Sequence, residues 1–309
     1  MTIAFAGDTH FWGVLQGRLG DPATAMGPLT GQLDKADLAV LNLETAVTTR
    51  GAPQPKQFTF RAPPAAFSAV KQGGVDVVTM ANNHGLDYGP TSAPDALTAA
   101  KDAGMPVIGL GMDEQEAYAP WIATVNGSRV AFLAATAVLD DPLVASWSAA
   151  PGHPGLATAL DGDNARLVAA VQSARAQADT VVVELHYGRD KITCPTDLQR
   201  TLARDLVAAG ADVVVGQHAH ILLGGGYLGS AYVDYGMGNY QFYSASGPSA
   251  QTGVLTLTTT GRQVTAPTWT PGVINGGLPT ALSGSAANTA IARWQALSAC
   301  TGLSATPTS

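Results

Sequence analysis

Five of the six histidines in this 309-residue chain stand where an apolar, strand-like run gives way to a turn. They fall in the clusters IAFAGDTH (Asp8, His10), VVTMANNH (Asn83, His84), VVVELH (His186) and VVVGQHAH (His218, His220), and LAVLNLE delivers Asn42 and Glu44 in the same way. A single histidine at a strand end is ordinarily a satisfied core or surface residue. Imidazoles, carboxylates and amides recurring at one strand end after another point instead to a shared metal site. Mixed ligation of this kind suits manganese, iron or zinc, and without a nearby thiolate it does not read as a structural cysteine-type zinc site. Two such ions about 3.5–4 Å apart, sharing a carboxylate, would activate water and clamp a phosphoryl group.

Side chains at i and i+2 of an extended strand point to the same side. Asp8/His10, Asn42/Glu44, Asn82/His84 and His218/His220 all have that spacing. Neighbouring strands lie about 4.8 Å apart, so pairs from adjacent strands can converge on one or two ions. Taken one at a time, each motif has an ordinary alternative: Asp8 as a helix cap, NNHG as a turn, His218 or His220 as a polar residue closing a strand.

The elements that must position these groups read as apolar strand, turn and helix, repeated. Residues 3–6, 38–43, 75–80, 107–110, 130–135, 181–185 and 213–215 are expected as buried strands. Residues 65–72, 91–103, 164–178 and 197–209 are expected as helices, the last with Leu198, Leu202, Leu206 and Val207 at helical spacing. That order predicts an α/β fold with its ligands near the carboxyl ends of parallel strands. After Gly224 the chain becomes β-rich, with a hairpin turn near 260–262. A final helix is expected over 288–297. Nothing resembles a linker, so residues 1–300 read as a single domain and 301–309 as a frayed tail. The long, proline-rich stretch 48–64 is a candidate wall for the site.

Hydrophobic residues make up 46% of the chain, which excludes a disordered protein, and the net charge of −7 without a Lys/Arg run argues against nucleic acid as a partner. An acidic protein acting on anions needs local positive charge, and bound cations would supply it. No apolar run approaches the roughly 20 residues of a membrane helix, so no transmembrane segment is expected in the chain. Met1 leads straight into a strand, and the surface style is lysine-poor and rich in Ala, Gly, Thr and Ser. The expectation is an extracellular or cell-surface domain whose leader has been removed. In an exported protein Cys194 and Cys300 would pair as a disulfide tying the C-terminal segment to the body; otherwise they are two unrelated thiols.

GDTH, NLE, ANNHGLDYG, HYGRD, GQHAH and YGMGNYQF, in this order, resemble the capsule-synthesis CapA family over roughly residues 1–260. Its members, also called poly-γ-glutamate synthesis accessory proteins, belong to the calcineurin-like metallophosphatase superfamily. The resemblance implies a four-layer αββα sandwich of two mixed sheets flanked by helices, with a dinuclear centre of two divalent ions. One ion would take Asp8, His10 and His220, the other Asn83, His186 and His218, with Glu44 bridging and His84 as general acid. Strand parity groups Asn82 with His84, whereas the resemblance makes Asn83 the ligand; Asn83 is preferred, because a strand end need not keep its alternation. Metallophosphatases ordinarily carry GDxxD where this chain has NLE, and HYGRD replaces the commoner HWGxE, leaving Asp190 behind the ligands. His10 brings the chain nearer to the phosphatase pattern.

Around that centre, Arg61 in FTFRAPP either grips an anionic substrate or is an ordinary surface arginine. Asp87 orients His84 or holds the DYG turn, and Asn239 shapes the floor. Three functions remain open: a metal-dependent phosphoesterase acting on an anionic small molecule or polymer, an amide hydrolase or transferase acting on poly-γ-glutamate or a related peptide, and a non-catalytic polymer-binding accessory protein for capsule synthesis or export.

Overall fold

Alternation along the strands decides the layering. Ile3 and Phe5 join one buried cluster while Ala4 and Ala6 join another. Val40 is likewise separated from Leu41 and Leu43. In the second half of the chain Val182, Val213 and Val215 part from Val181, Val183, Leu185 and Val214. Each of these strands is therefore apolar on both faces, and each sheet must be covered on both sides.

A computed structural model of the protein, describing residues 1–160 and 164–308, meets that demand. An eight-stranded sheet runs in the order Leu278–Ala281, Gln263–Asn275, Gln251–Thr260, Thr2–Thr9, Leu38–Leu43, Val77–Thr79, Val107–Ile108, with Asn239–Gln241 also paired to Thr2–Thr9. A six-stranded sheet runs Gly225–Leu228, Ala231–Asp234, Val213–Gln217, Thr180–His186, Ser128–Thr136, Trp121–Val125. Both are mixed: the first is antiparallel from Leu278–Ala281 to Thr2–Thr9 and parallel from there to its edge at Val107–Ile108, while the second is parallel at its centre and antiparallel at both edges.

Ile3, Phe5, Val40, Phe132, Val182 and Val215 pack between the two sheets. Helices Ala65–Gln72 and Ser92–Ala103 cover the outer face of the first sheet through Phe67, Val70, Ala93 and Ala96. Helices Ala165–Arg175 and Asp197–Ala209 cover the second through Leu167, Val171, Leu202 and Leu206. The last of these starts in a reciprocal cap between Thr196 and Gln199 and stops at Gly210, whose φ of 117° only glycine adopts freely. This is the four-layer αββα sandwich that the resemblance implied.

Some boundaries move. The strand expected over 75–80 is confined to Val77–Thr79, because Asp76 turns its carboxylate onto the Ala39 amide and the chain turns at Asn82. The final helix begins earlier, at Gly284, in a run of small residues that carries no apolar period. The tail is tied down where fraying was expected: Ser304 exchanges both backbone hydrogen bonds with Tyr227, Thr301 is buried, and the Thr308 amide donates to Gly229. Ser309 lies outside the described residues. Cys194 and Cys300 form a disulfide, 5.7 Å between Cα atoms, and the Arg200 guanidinium donates to the carbonyls of Cys300 and Thr301. Among the described residues no helix is long and apolar enough to cross a membrane.

The consequence for chemistry is geometric. Thr2–Thr9, Leu38–Leu43 and Val77–Thr79 run parallel in one sheet, Thr180–His186 and Val213–Gln217 run parallel in the other, and every strand-end cluster follows the carboxyl end of one of these strands.

Candidate metal centre

Asp8 is fully buried. Its strand has to pass within hydrogen-bond distance of the 238 backbone: the Asp8 amide donates to the Gly238 carbonyl at 2.8 Å, and a Cβ on Gly7 would sit 2.0 Å from that oxygen. Gly7 is there because no side chain fits. Register slips on both sides of Asp8, and the bend aims its carboxylate at three partners. Asn42 Nδ2 donates to Oδ1 at 2.8 Å, while the His218 amide and His220 Nδ1 lie 3.2 and 3.3 Å from Oδ2.

Glu44 comes next. It is fully buried, and neither carboxylate oxygen has a hydrogen-bond partner. His186 Nε2 stands 3.5 Å from its Oε1 and His220 Nε2 4.0 Å. His186 Nε2 is also 2.8 Å from Asn83 Oδ1 and 3.2 Å from His218 Nδ1. Two sets of possible ligand atoms therefore share Glu44: Asp8, Glu44 and His220, and Glu44, His186 and His218, each within 4.8 Å of one another. A third set, Asp190, His218 and His220, opens toward solvent.

The electrostatics carry the same message. Burial, and then the Asp8 carboxylate, push Glu44 well above its ordinary range. Burial works against a charge on His220, but the carboxylates of Glu44 and Asp8 outweigh it and hold the ring at about 10. Burial, and then the charge on His220, drive His218 down to about 4. Burial and His218 hold His186 well below its usual value. A buried carboxylate with both oxygens unpartnered, ringed by histidine nitrogens, is costly as it stands and fits a divalent cation. The donor set of oxygen and imidazole nitrogen, without sulfur, suits that ion class.

His84 lies at the edge of this group and lines a cleft of about 480 Å³. Its Nδ1 is 2.5 Å from Asp87 Oδ2, and Asp87 in turn accepts from the Phe60 amide at 2.6 Å and from Lys56 Nζ at 2.8 Å. Burial lowers His84 from its usual value in spite of Asp87. Of the two roles open to Asp87, orienting His84 or holding the DYG turn, this contact fits the first.

Several expected roles change. His10 is buried, but it belongs to none of the three sets. Its Nδ1 accepts from the Trp12 amide at 2.9 Å, its Nε2 faces the Tyr243 amide at 3.3 Å, and the ring stacks on Phe60 with centroids 4.6 Å apart. The register shift between Asp8 and Thr9 breaks the i,i+2 parity that paired it with Asp8. Arg61 lies over the ring of Tyr88 at 4.3 Å and does not line the cleft. Asn239 does line it, but its Oδ1 is 2.9 Å from His220 Nδ1, so it orients a histidine. Asp190 stands 3.3 Å from His218 Nε2, the nitrogen facing away from His186, which suits a group behind a ligand and also puts it in the third set. Asn83, and not Asn82, turns to His186; Asn82 spends its side chain on Asn42, Leu43 and the His84 amide.

Asn42, which the strand-end pattern picked out without a role of its own, links Asp8 to His186, at 2.8 and 3.2 Å. One participant was missed. Lys56 lies in the expected wall segment, and no pattern in the sequence marks it.

A model of the family described as "Bacterial capsule synthesis protein PGA_cap" matches residues 2–244, which contain every residue of the three sets. "Capsule biosynthesis protein CapA" of Bacillus anthracis is 33% identical over 188 residues, 60% of this chain and 45% of that protein. The chain spans about half the length of the curated relatives it matches. Among solved structures, a hypothetical protein from Thermus thermophilus is similar with a TM-score of 0.55 at 17% identity, covering 88% of this chain and 98% of the other. A Staphylococcus aureus protein named "Putative 5'-Nucleotidase", solved with alpha-ketoglutarate, gives 0.51 at 12% identity, covering 96% of this chain and 58% of its own. At these identities the likeness is one of fold.

Proposed function

This chain belongs to the bacterial capsule synthesis protein family PGA_cap, of metallophosphatase-like fold, and from that premise we propose that it is a metal-dependent hydrolase of an anionic ester in cell-surface or capsular polymer metabolism. The observation that carries the reading is Glu44, buried with two unpartnered oxygens between two histidine-carboxylate sets, beside the His84–Asp87 pair.

Asp8, Glu44 and His220 would hold one divalent ion, and Glu44, Asn83, His186 and His218 the other. Manganese, iron or zinc so bound supplies Lewis-acid charge and makes water nucleophilic at neutral pH. Asp87 accepts the Nδ1 proton of His84 and favours the imidazolium, whose second proton, on Nε2, would pass to the departing oxygen. Asn239 and Asp190 orient His220 and His218 through the ring atoms they face. Lys191, Ser244, Ser246 and Ser249 line the mouth and offer donors to an anionic substrate. The disulfide fits an oxidising, extracytoplasmic setting.

A second reading keeps the centre and changes the bond: amide hydrolysis or transfer on poly-γ-glutamate or a related peptide. It is favoured by a Bacillus subtilis relative named "PGA biosynthesis protein CapA". A third, an accessory that binds polymer without turnover, is consistent with the same names.

Elemental analysis of protein purified without chelator, followed by parallel assays on an aryl phosphate and on γ-linked glutamate oligomers, separates the three. Chelation should abolish ester turnover, added Mn²⁺ or Zn²⁺ should restore it, and His84→Asn should cost about 10²–10⁴ in kcat with metal retained. Unchanged turnover in His84→Asn removes the general acid. Polymer binding without turnover by fully metallated protein selects the accessory reading.

A further inference from the structure

We infer that Lys56 is the positioning residue that locks the proton donor His84 to the wall of the cleft, an inference that rests on the hydrolase reading above. Its side chain is only 4% exposed, deep for a lysine. Its Nζ lies 2.8 Å from Asp87 Oδ1, 3.5 Å from His84 Nδ1 and 3.7 Å from Asp140 Oδ2, and it donates to the carbonyl of Asn83. The ring of Trp147 lies 5.1 Å away.

Asp87 is held on both oxygens. Oδ1 takes Lys56, and Oδ2 takes His84 Nδ1 and the Phe60 amide. The carboxylate cannot turn without losing at least one of these, so the orientation of His84 depends on two residues of the 48–64 segment, Lys56 and Phe60. Phe60 adds its ring against His84, centroids 4.2 Å apart. The same ammonium fixes the Asn83 backbone, whose side chain reaches His186 at 2.8 Å. One cation therefore couples the proton donor to a proposed ligand.

Gripping substrate is a different job, and the geometry disfavours it here. Lys56 already faces two carboxylates and a carbonyl, and Trp147 closes one side. Lys191, exposed at the mouth, has none of these constraints.

The test uses Lys56→Met on the full chain, with folding checked by circular dichroism and Tm. If Met does not fold, Lys56→Gln replaces it in every measurement. Proton donation matters most for poor leaving groups, so kcat on an alkyl phosphate should fall about 30-fold or more while kcat on p-nitrophenyl phosphate changes by less than about threefold, with KM unchanged for both. Equal losses on the two esters, or a raised KM at unchanged kcat, would overturn the assignment; the second would make Lys56 a substrate contact. A readout independent of turnover is the slowly exchanging Nδ1 proton of His84 in NMR, identified by its loss in His84→Asn. It should exchange faster in Lys56→Met, and an unaltered signal also overturns the proposal. If the wild-type protein hydrolyses neither ester, the hydrolase reading fails and the NMR result alone decides Lys56.

Discussion

Glu44 carries an unmet electrostatic demand. A carboxylate without a hydrogen bond, buried beside Asp8, is tolerated only if it takes a proton or something positive joins it. In the metal-free protein the positive ring of His220 does part of that work. Glu44→Gln keeps the shape and removes the shared charge, so metal content should fall by at least one ion per chain in elemental analysis, and a full complement would show that Glu44 does not bridge. At this scale the sequence was most legible where a side chain follows a strand end. Asp8, Glu44, Asn83, His186, His218 and His220 were all named from their motifs, and all converge. Where residues lie in loops, position could not be read. Arg61 was singled out for its chemistry and spends itself on Tyr88, whereas Lys56, five residues earlier in the same segment, reaches the cleft. Nothing local decides which of two cations in an irregular loop points inward.

Among the elements, the turn after Val213–Gln217 stores backbone strain. His218 and His220 have φ of 91° and 55°, a region that non-glycine residues seldom occupy. The turn lets the His218 amide donate to Asp8 while both rings face the cleft. Strain of this kind persists where the surrounding structure over-determines it. In chelator-treated protein His218→Gly should therefore be more stable than His218→Ala by about 1 kcal/mol, since glycine adopts the conformation freely. Equal Tm values for the two variants would show that the turn relaxes once the ring is gone. Strands and helices themselves were readable because apolar period two and period three-to-four differ along the chain. Ligand parity was not, since a register slip at Asp8 sends His10 into the aromatic cluster of Phe60 and Phe242.

For the molecule as a whole, the decisive event is the closure of one sheet on the other. It buries Glu184 beneath His186, where burial raises it to about 8 despite a hydrogen bond from Gln217, whose amide also donates to the Ala6 carbonyl of the opposite sheet. A carboxyl raised in the folded state costs nothing below its unfolded value of 4.5, and stability is lost as pH climbs from there through about 8. Glu184→Gln should then match the parent near pH 4 and exceed it by on the order of a few kcal/mol near pH 8.5, read as the difference in Tm of metal-free proteins. A difference independent of pH would mean that the carboxyl is not held neutral. At this scale too, the disulfide joins the segment after the final helix to the loop that carries Asp190 and Lys191, linking the C-terminus to the rim of the cleft.

By itself the sequence determined the elements, their α/β order and the family, and it named the candidate metal ligands at the strand ends, because all of these reside in local period and in short motifs. Only the tertiary structure decided that Glu44 has no hydrogen-bond partner, that His10 turns to the Trp12 and Tyr243 amides, that Asn42 ties Asp8 to His186 and that Lys56 contacts the His84–Asp87 pair. Those facts depend on which strand ends meet across two facing sheets and how a loop folds over them, and contacts between residues far apart in the sequence leave no period in the chain.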